Sequence, residues 1–144
     1  MNIKDVMVKE IITVNPTAKI RAAVELMNKN QIGCLVVTRK GRPVGIMTER
    51  DVLKKIVCGC KNPEQTRVSE IMSKPLIVGR VDMDWLEAVK LMLDRNIKKL
   101  PISDGERLVG LVTLTDIARI RVLQALEIDT LTFGILSRHK QSPG

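Results

Sequence analysis

Aromatic side chains are almost missing from this chain, with one Trp, one Phe and no Tyr among 144 residues. Ile, Leu, Val, Met and Ala must therefore build any core, and the stacking platforms used by single-stranded nucleic-acid binders are lacking. Histidine occurs once, at His139. That argues against a metal site ligated by several His and against a His-based catalytic triad. The cysteines number three, Cys34, Cys58 and Cys60, an odd set that suits a reducing compartment. Cys58-Gly59-Cys60 has no further Cys or His near it in sequence to complete a zinc site, so no metal is expected. No apolar run approaches the roughly 20 residues of a membrane span. The start, Met1-Asn2-Ile3-Lys4-Asp5, carries charges in place of an apolar signal core, and the expectation is a cytoplasmic protein without membrane contact.

What is present is ordinary globular composition, 44% hydrophobic and 28% charged, which excludes a disordered chain. The net charge is +8, placed unevenly: twelve basic against six acidic side chains in residues 1–65, and twelve against ten in residues 66–144. A basic excess favours anionic partners, whether phosphate ligands, nucleic acid or an acidic membrane, and equally suits a solvated surface with no specific partner.

The strongest signal is an internal repeat. Shifted by 65 residues, the chain matches itself without a gap: Met7 falls on Met72, and Ala23, Val24, Leu26 and Met27 fall on Ala88, Val89, Leu91 and Met92. Val44-Gly45, Thr48 and Asp51 fall on Val109-Gly110, Thr113 and Asp116. The matched positions are mostly apolar, which marks a repeated core. Two copies are expected, at 3–57 and 68–124, joined by a polar, Pro-containing linker at 58–67 and followed by an extension at 125–144. A unit of about 55 residues is marginal alone. Packing the copies sheet against sheet about a pseudo-two-fold solves that problem and makes two equivalent clefts.

Within each copy the periods predict β-α-β-β-α, an α+β unit. In copy one, Ile11–Val14 reads as a short strand. Ile20, Ala23, Val24 and Met27 form one helix face. The segment 31–38 and the segment 43–47 read as strands joined by a hairpin at Arg39-Lys40-Gly41-Arg42. Thr48 to Val57 reads as a second helix with Val52, Leu53 and Ile56 inward. In copy two, Gly79-Arg80 replaces Val14-Asn15, which predicts a looser edge there. Trp85 replaces Ile20 as a core or rim residue. The apolar run Leu131–Leu136 calls for a partner surface, and the polar end 137–144 is expected to fray.

Both copies carry Gly-apolar-apolar-Thr-x-x-Asp at a strand-to-helix junction: Gly45 to Asp51, and Gly110 to Asp116. Thr followed three residues later by an acid is a capping box, which accounts for the pattern structurally. The same geometry also suits a ligand. A helix N-terminus attracts anions, a Thr hydroxyl donates to a phosphate oxygen, and a carboxylate accepts from both hydroxyls of a ribose diol.

At these residues both copies resemble CBS motifs, and the chain resembles a stand-alone tandem CBS pair (a Bateman module). Val6-Met7, Ala23–Met27 and Gly45-Thr48-Asp51 carry the likeness in copy one. Ile71-Met72, Ala88–Met92, Lys99-Leu100-Pro101-Ile102 and Gly110-Thr113-Asp116 carry it in copy two. The resemblance implies a non-enzymatic regulatory module that binds AMP, ADP, ATP, S-adenosylmethionine or NAD in clefts between the repeats and signals to a partner protein, commonly as a homodimer. It further implies that Asp51 and Asp116 hold ribose and that Thr48 and Thr113 reach phosphate. Adenine then packs on Ile12, Ile32, Ile46, Ile77, Ile97 and Leu111. One cleft joins Ile12, Ile32 and Gly33 to Thr113 and Asp116, and the other joins Ile77, Ile97 and Lys98 to Thr48 and Asp51. Lys98 and Arg50 are the basic residues assigned to phosphate, with Arg119 and Lys54 as weaker candidates. Two other readings stand beside this one: a basic nucleic-acid-associated protein, and a dimerisation module whose pockets stay unused.

Overall fold

The computed structural model describes residues 2–74 and 76–126. The extension beyond 126, with its apolar run and His139, lies outside the described residues. In chain order the elements are α1 (Ile3–Val6), β1 (Thr13–Val14), α2 (Ile20–Asn30), β2 (Cys34–Arg39), β3 (Arg42–Thr48) and α3 (Glu49–Asp51), which continues as a π-helical segment (Val52–Val57). The second half gives α4 (Val68–Ile71), β4 (Gly79–Arg80), α5 (Trp85–Asp94), β5 (Lys99–Asp104), β6 (Arg107–Thr113) and α6 (Leu114–Ala125). This is the expected α+β repeat, each copy also opening with a one-turn helix.

Each repeat builds a three-stranded sheet in the same way. β1 runs parallel to β2, and β2 pairs antiparallel with β3; β4, β5 and β6 repeat the order. The registers are equivalent at the 65-residue offset, with Val14 opposite Val37 and Gly79 opposite Ile102. The hairpin between β2 and β3 turns at Lys40 and Gly41, both at positive φ (53° and 77°). That backbone matches the right-handed strand twist. Helices α2 and α5 are each followed by a residue in the left-handed region, Gln31 and Asn96, both at φ 53°. The chain reverses there into the next strand.

Three expectations are corrected. Ile11 and Ile12 precede the first strand, which pairs only through Thr13 and Val14. The edge at Gly79-Arg80 is not looser: it pairs in the same register as β1, and Gly79 is buried where a Cβ would press on Ile102, Met83 and Leu100. Leu53 is 59% exposed, although Val52 is half-buried and Ile56 buried. The helix after Asp51 widens to i→i+5 bonding, as in Cys58 N–H to Leu53 C=O at 3.0 Å. An extra residue per turn shifts the side chains off the 3.6-residue phase that the sequence pattern assumed.

The compact units do not follow the repeat boundaries. Residues 12–74 form one unit (unit I), and residues 2–11 with 77–126 form the other (unit II). The opening helix of each repeat therefore lies in the core of the other. In unit I, Val68 and Ile71 of α4 are buried with Ile20, Ala23, Met27, Leu35, Val37 and Met47. In unit II, Ile3, Val6 and Met7 are buried with Ala88, Met92, Leu100, Ile102 and Val112. Trp85 packs at the margin of that second core, with the Arg121 guanidinium 5.1 Å from its ring centroid. Full burial of an Ile or Val contributes about 1.5–3 kcal/mol, so these short helices stabilise the units well beyond what four residues of helix could.

Backbone pairing secures the crossing segments. Val8 exchanges both backbone hydrogen bonds with Leu111 (2.9 and 3.0 Å), and Ser73 exchanges both with Ile46 (2.8 and 3.5 Å). Beside each pair a glycine makes room for a methionine. A Cβ on Gly45 would stand 2.5 Å from Met72 Sδ, and one on Gly110 would collide with Met7 Sδ. Gly45→Ala and Gly110→Ala are therefore expected to destabilise the chain by about 1–3 kcal/mol through overpacking. Urea denaturation measures this, and unchanged midpoints would show that the methionines yield freely.

Candidate functional site

Both Thr-x-x-Asp motifs fall where the last strand of the sheet turns into a helix. In unit II, Thr113 ends β6 as the N-cap of the twelve-residue α6, and its Oγ1 accepts the Asp116 N–H at 3.0 Å. In unit I, Thr48 ends β3, and its Oγ1 accepts the Asp51 N–H at 3.2 Å. The carbonyl of the residue before each second strand closes the junction: Gly33 accepts from Glu49 N–H and Lys98 from Leu114 N–H, both at 3.0 Å. Thr is thus the N-cap in both copies, and the reciprocal capping box expected from the sequence is complete at Thr48/Asp51 but not at Thr113/Asp116.

The carboxylates differ. Asp51 Oδ2 accepts from the Thr48 backbone N–H at 2.9 Å and from Thr48 Oγ1 at 3.1 Å, completing a reciprocal capping box. Asp51 Oδ1 meets Lys55 Nζ at 3.2 Å and Ser73 Oγ at 3.2 Å. Lys55 is fixed in turn by donating to the Ile71 carbonyl at 2.7 Å. The Asp51 side chain is 11% exposed. Among the described residues the Asp116 carboxylate has one side-chain partner, the Arg119 guanidinium at 3.6 Å, and it is 28% exposed. The Thr48 hydroxyl proton is committed to Asp51, whereas among the described residues Thr113 Oγ1 serves only as an acceptor.

The remaining sequence-predicted residues distribute by unit. Gly33 and Ile32 are buried in unit I; Ile12 packs partly buried against the same core, and Ile46 is half-buried. Ile77 and Ile97 pack partly buried in unit II, where Leu111 is half-buried and Lys98 exposed. Ile12, Ile32 and Gly33 thus share a unit with Thr48 and Asp51, and Ile77, Ile97 and Lys98 share one with Thr113 and Asp116. Arg50 and Lys54 are exposed and engage neither Asp51 nor Glu49. Sequence reasoning overlooked Lys55 and Ser73. The signal was available: at the 65-residue offset their counterparts are Ile120 and Val8, so each is a polar residue standing where the other repeat has an apolar one.

Two tandem α+β repeats, each closing on a strand-Thr-x-x-Asp-helix junction, define a duplicated module of the regulatory ligand-binding kind. The chain belongs to the CBS domain family, whose sequence profile matches residues 3–58 and 68–123. It is 41% identical over 125 residues to Uncharacterized protein MK0525 of Methanopyrus kandleri, covering 83% of this chain and 62% of that one. It is 36% identical over 117 residues to the CBS domain-containing protein YhcV of Bacillus subtilis, covering 81% and 83%. Among solved structures, an uncharacterized conserved protein from Pyrococcus horikoshii superposes with a TM-score of 0.76 at 28% identity, over 83% of this chain and 91% of that one. The chain thus spans about three fifths of the Methanopyrus relative. No helix among the described residues is long and apolar enough to cross a membrane.

The two carboxylates should separate in stability measurements. Asp51→Ala removes a charge-assisted network and leaves Lys55 only the Ile71 carbonyl and solvent, at an expected cost of about 1.5–3 kcal/mol. Asp116→Ala removes a first-turn charge at a helix N-terminus, worth about 0.3–1 kcal/mol. Equal shifts of the denaturation midpoint would contradict this ranking.

Proposed function

We propose that this CBS pair is a cytoplasmic regulatory module, not an enzyme, that binds an adenosine derivative and relays its presence to a partner protein. The observation that carries this reading is the Asp116 junction. A carboxylate there keeps accessible oxygens at the head of a twelve-residue helix, beside a Thr hydroxyl whose proton is uncommitted. A carboxylate with free lone pairs suits the paired hydroxyls of a ribose. Arg119, at the same helix end, and the exposed Lys98, whose carbonyl closes the junction, suit phosphate oxygens. Ile77, Ile97 and Leu111 of the same unit supply half-buried apolar surface of the kind a purine ring covers, an arrangement that differs from the pairing of Asp116 with Ile12, Ile32 and Gly33 that the resemblance implies.

Binding acts as a signal only if the ligand prefers one conformational state, since equal affinity for two states shifts neither. Titration calorimetry with AMP, ADP, ATP, S-adenosylmethionine and NAD tests the reading. At least one is expected to bind with micromolar or tighter affinity. Absence of heat for all five up to millimolar concentration would leave both motifs as helix caps and favour a scaffold role.

The module is further proposed to act as a homodimer. Leu86 and Leu93, one face of α5, are 57% and 65% exposed, and Val122 on α6 and Leu126, its C-cap, are 56% and 62% exposed. A second copy of the chain is the proposed cover. Light scattering is expected to give twice the 16.1 kDa chain mass, and Leu86→Glu with Leu93→Glu is expected to return it to one chain. A wild-type monomer would contradict the assignment.

A further inference from the structure

We infer that the two repeats are functionally unequal: Lys55 and Ser73 occupy the Asp51 carboxylate, so that the chain binds one adenosine derivative, through Asp116. The inference rests on the adenosine-binding reading above and assigns that reading's stoichiometry and the residues that set it.

The argument is one of lone pairs. A carboxylate offers about four acceptor positions. Asp51 spends them on the Thr48 N–H, the Thr48 hydroxyl, the Ser73 hydroxyl and the Lys55 ammonium, at 2.9 to 3.2 Å. A ribose diol arriving there finds no unfilled position and must displace groups that are held from a second side. Lys55 is anchored by the Ile71 carbonyl, and Ser73 by its two backbone bonds to Ile46. At Asp116 the corresponding positions belong to Ile120 and Val8, which cannot donate from a side chain. Val8 occupies the same backbone bridge, to Leu111, that Ser73 occupies to Ile46. The strand-to-bridge frame is therefore shared, and the two side chains placed in it differ.

The helices that follow differ in the same sense. Thr113 heads twelve regular residues of α6, whereas Thr48 heads three, after which the turn widens into the π-helical segment. Aligned peptide dipoles accumulate only along regular helix. Lys55, four residues after Asp51 across this transition, meets its carboxylate.

The test is calorimetric titration of the full chain with AMP, ADP, ATP, S-adenosylmethionine and NAD. Three proteins are compared: wild type, Asp116→Asn, and the double variant Lys55→Ile with Ser73→Val, which installs the residues of the other repeat. Wild type is expected to bind one equivalent per chain, and Asp116→Asn to weaken that binding at least 100-fold. The double variant is expected to bind two equivalents. Two equivalents on wild type, or undiminished binding by Asp116→Asn, would overturn the inference and leave the adenosine reading standing. No binding of any of the five compounds to wild type would overturn that reading and this inference with it. A double variant that keeps a cooperative unfolding transition yet binds one equivalent would overturn the role given to Lys55 and Ser73. Should the double variant not fold, the wild-type stoichiometry and the Asp116→Asn titration decide the question alone.

Discussion

Everything in this structure depends on where the opening helix of each repeat is buried. Ile3, Val6 and Met7 close the core under β4, β5 and β6, while Val68, Ile71 and Met72 close the one under β1, β2 and β3. A unit of this size buries too small a fraction of its surface to be secure alone. Borrowing a turn of apolar helix from the other repeat adds buried area where it is scarcest. The close approach of Met72 to Gly45 and of Met7 to Gly110 explains why the residue that opens the motif carries no side chain in either copy.

The same constraint creates the difference between the two motifs. The second residue beyond each opening helix bridges to the last strand of the sheet, opposite the residue two before the motif Thr. In one unit that residue is Ser73 and in the other Val8. A hydroxyl delivered there reaches the Asp51 carboxylate, and an isopropyl group leaves Asp116 without that partner. Duplication thus supplies two equivalent frames, and single side chains brought in from elsewhere in the sequence decide what each frame can accept. Buried charge follows the usual rule: the more enclosed carboxylate is the one with the fuller set of donors.

Much of this was legible in the sequence. The 65-residue offset reproduces the sheet registers, because the matched apolar positions are those that face each core. The i, i+3, i+4, i+7 face of Ile20, Ala23, Val24 and Met27 is the face α2 buries. The Thr-x-x-Asp motifs cap helices as a local pattern should, since a cap is fixed by residues three apart. Membership of each core was not legible, because periodicity shows that α1 and α4 have apolar faces without showing which sheet receives them. The π-helical widening was equally hidden. It left Leu53 outside, whereas Lys55 meets Asp51 at the ordinary i,i+4 spacing. Its origin lies in backbone bonding that no side-chain period encodes.

The central claim, that each core is completed by the opening helix of the other repeat, is most directly tested by residue-resolved amide hydrogen exchange on Ile71→Ala. Ile71 is 1% exposed and belongs to the second repeat by sequence. Local opening free energies report which cooperative unit a residue supports. Loss of protection concentrated in β2 and β3, with β5 and β6 protected as in wild type, is the result this account predicts. Loss concentrated in β5 and β6 would contradict it and return each opening helix to its own repeat.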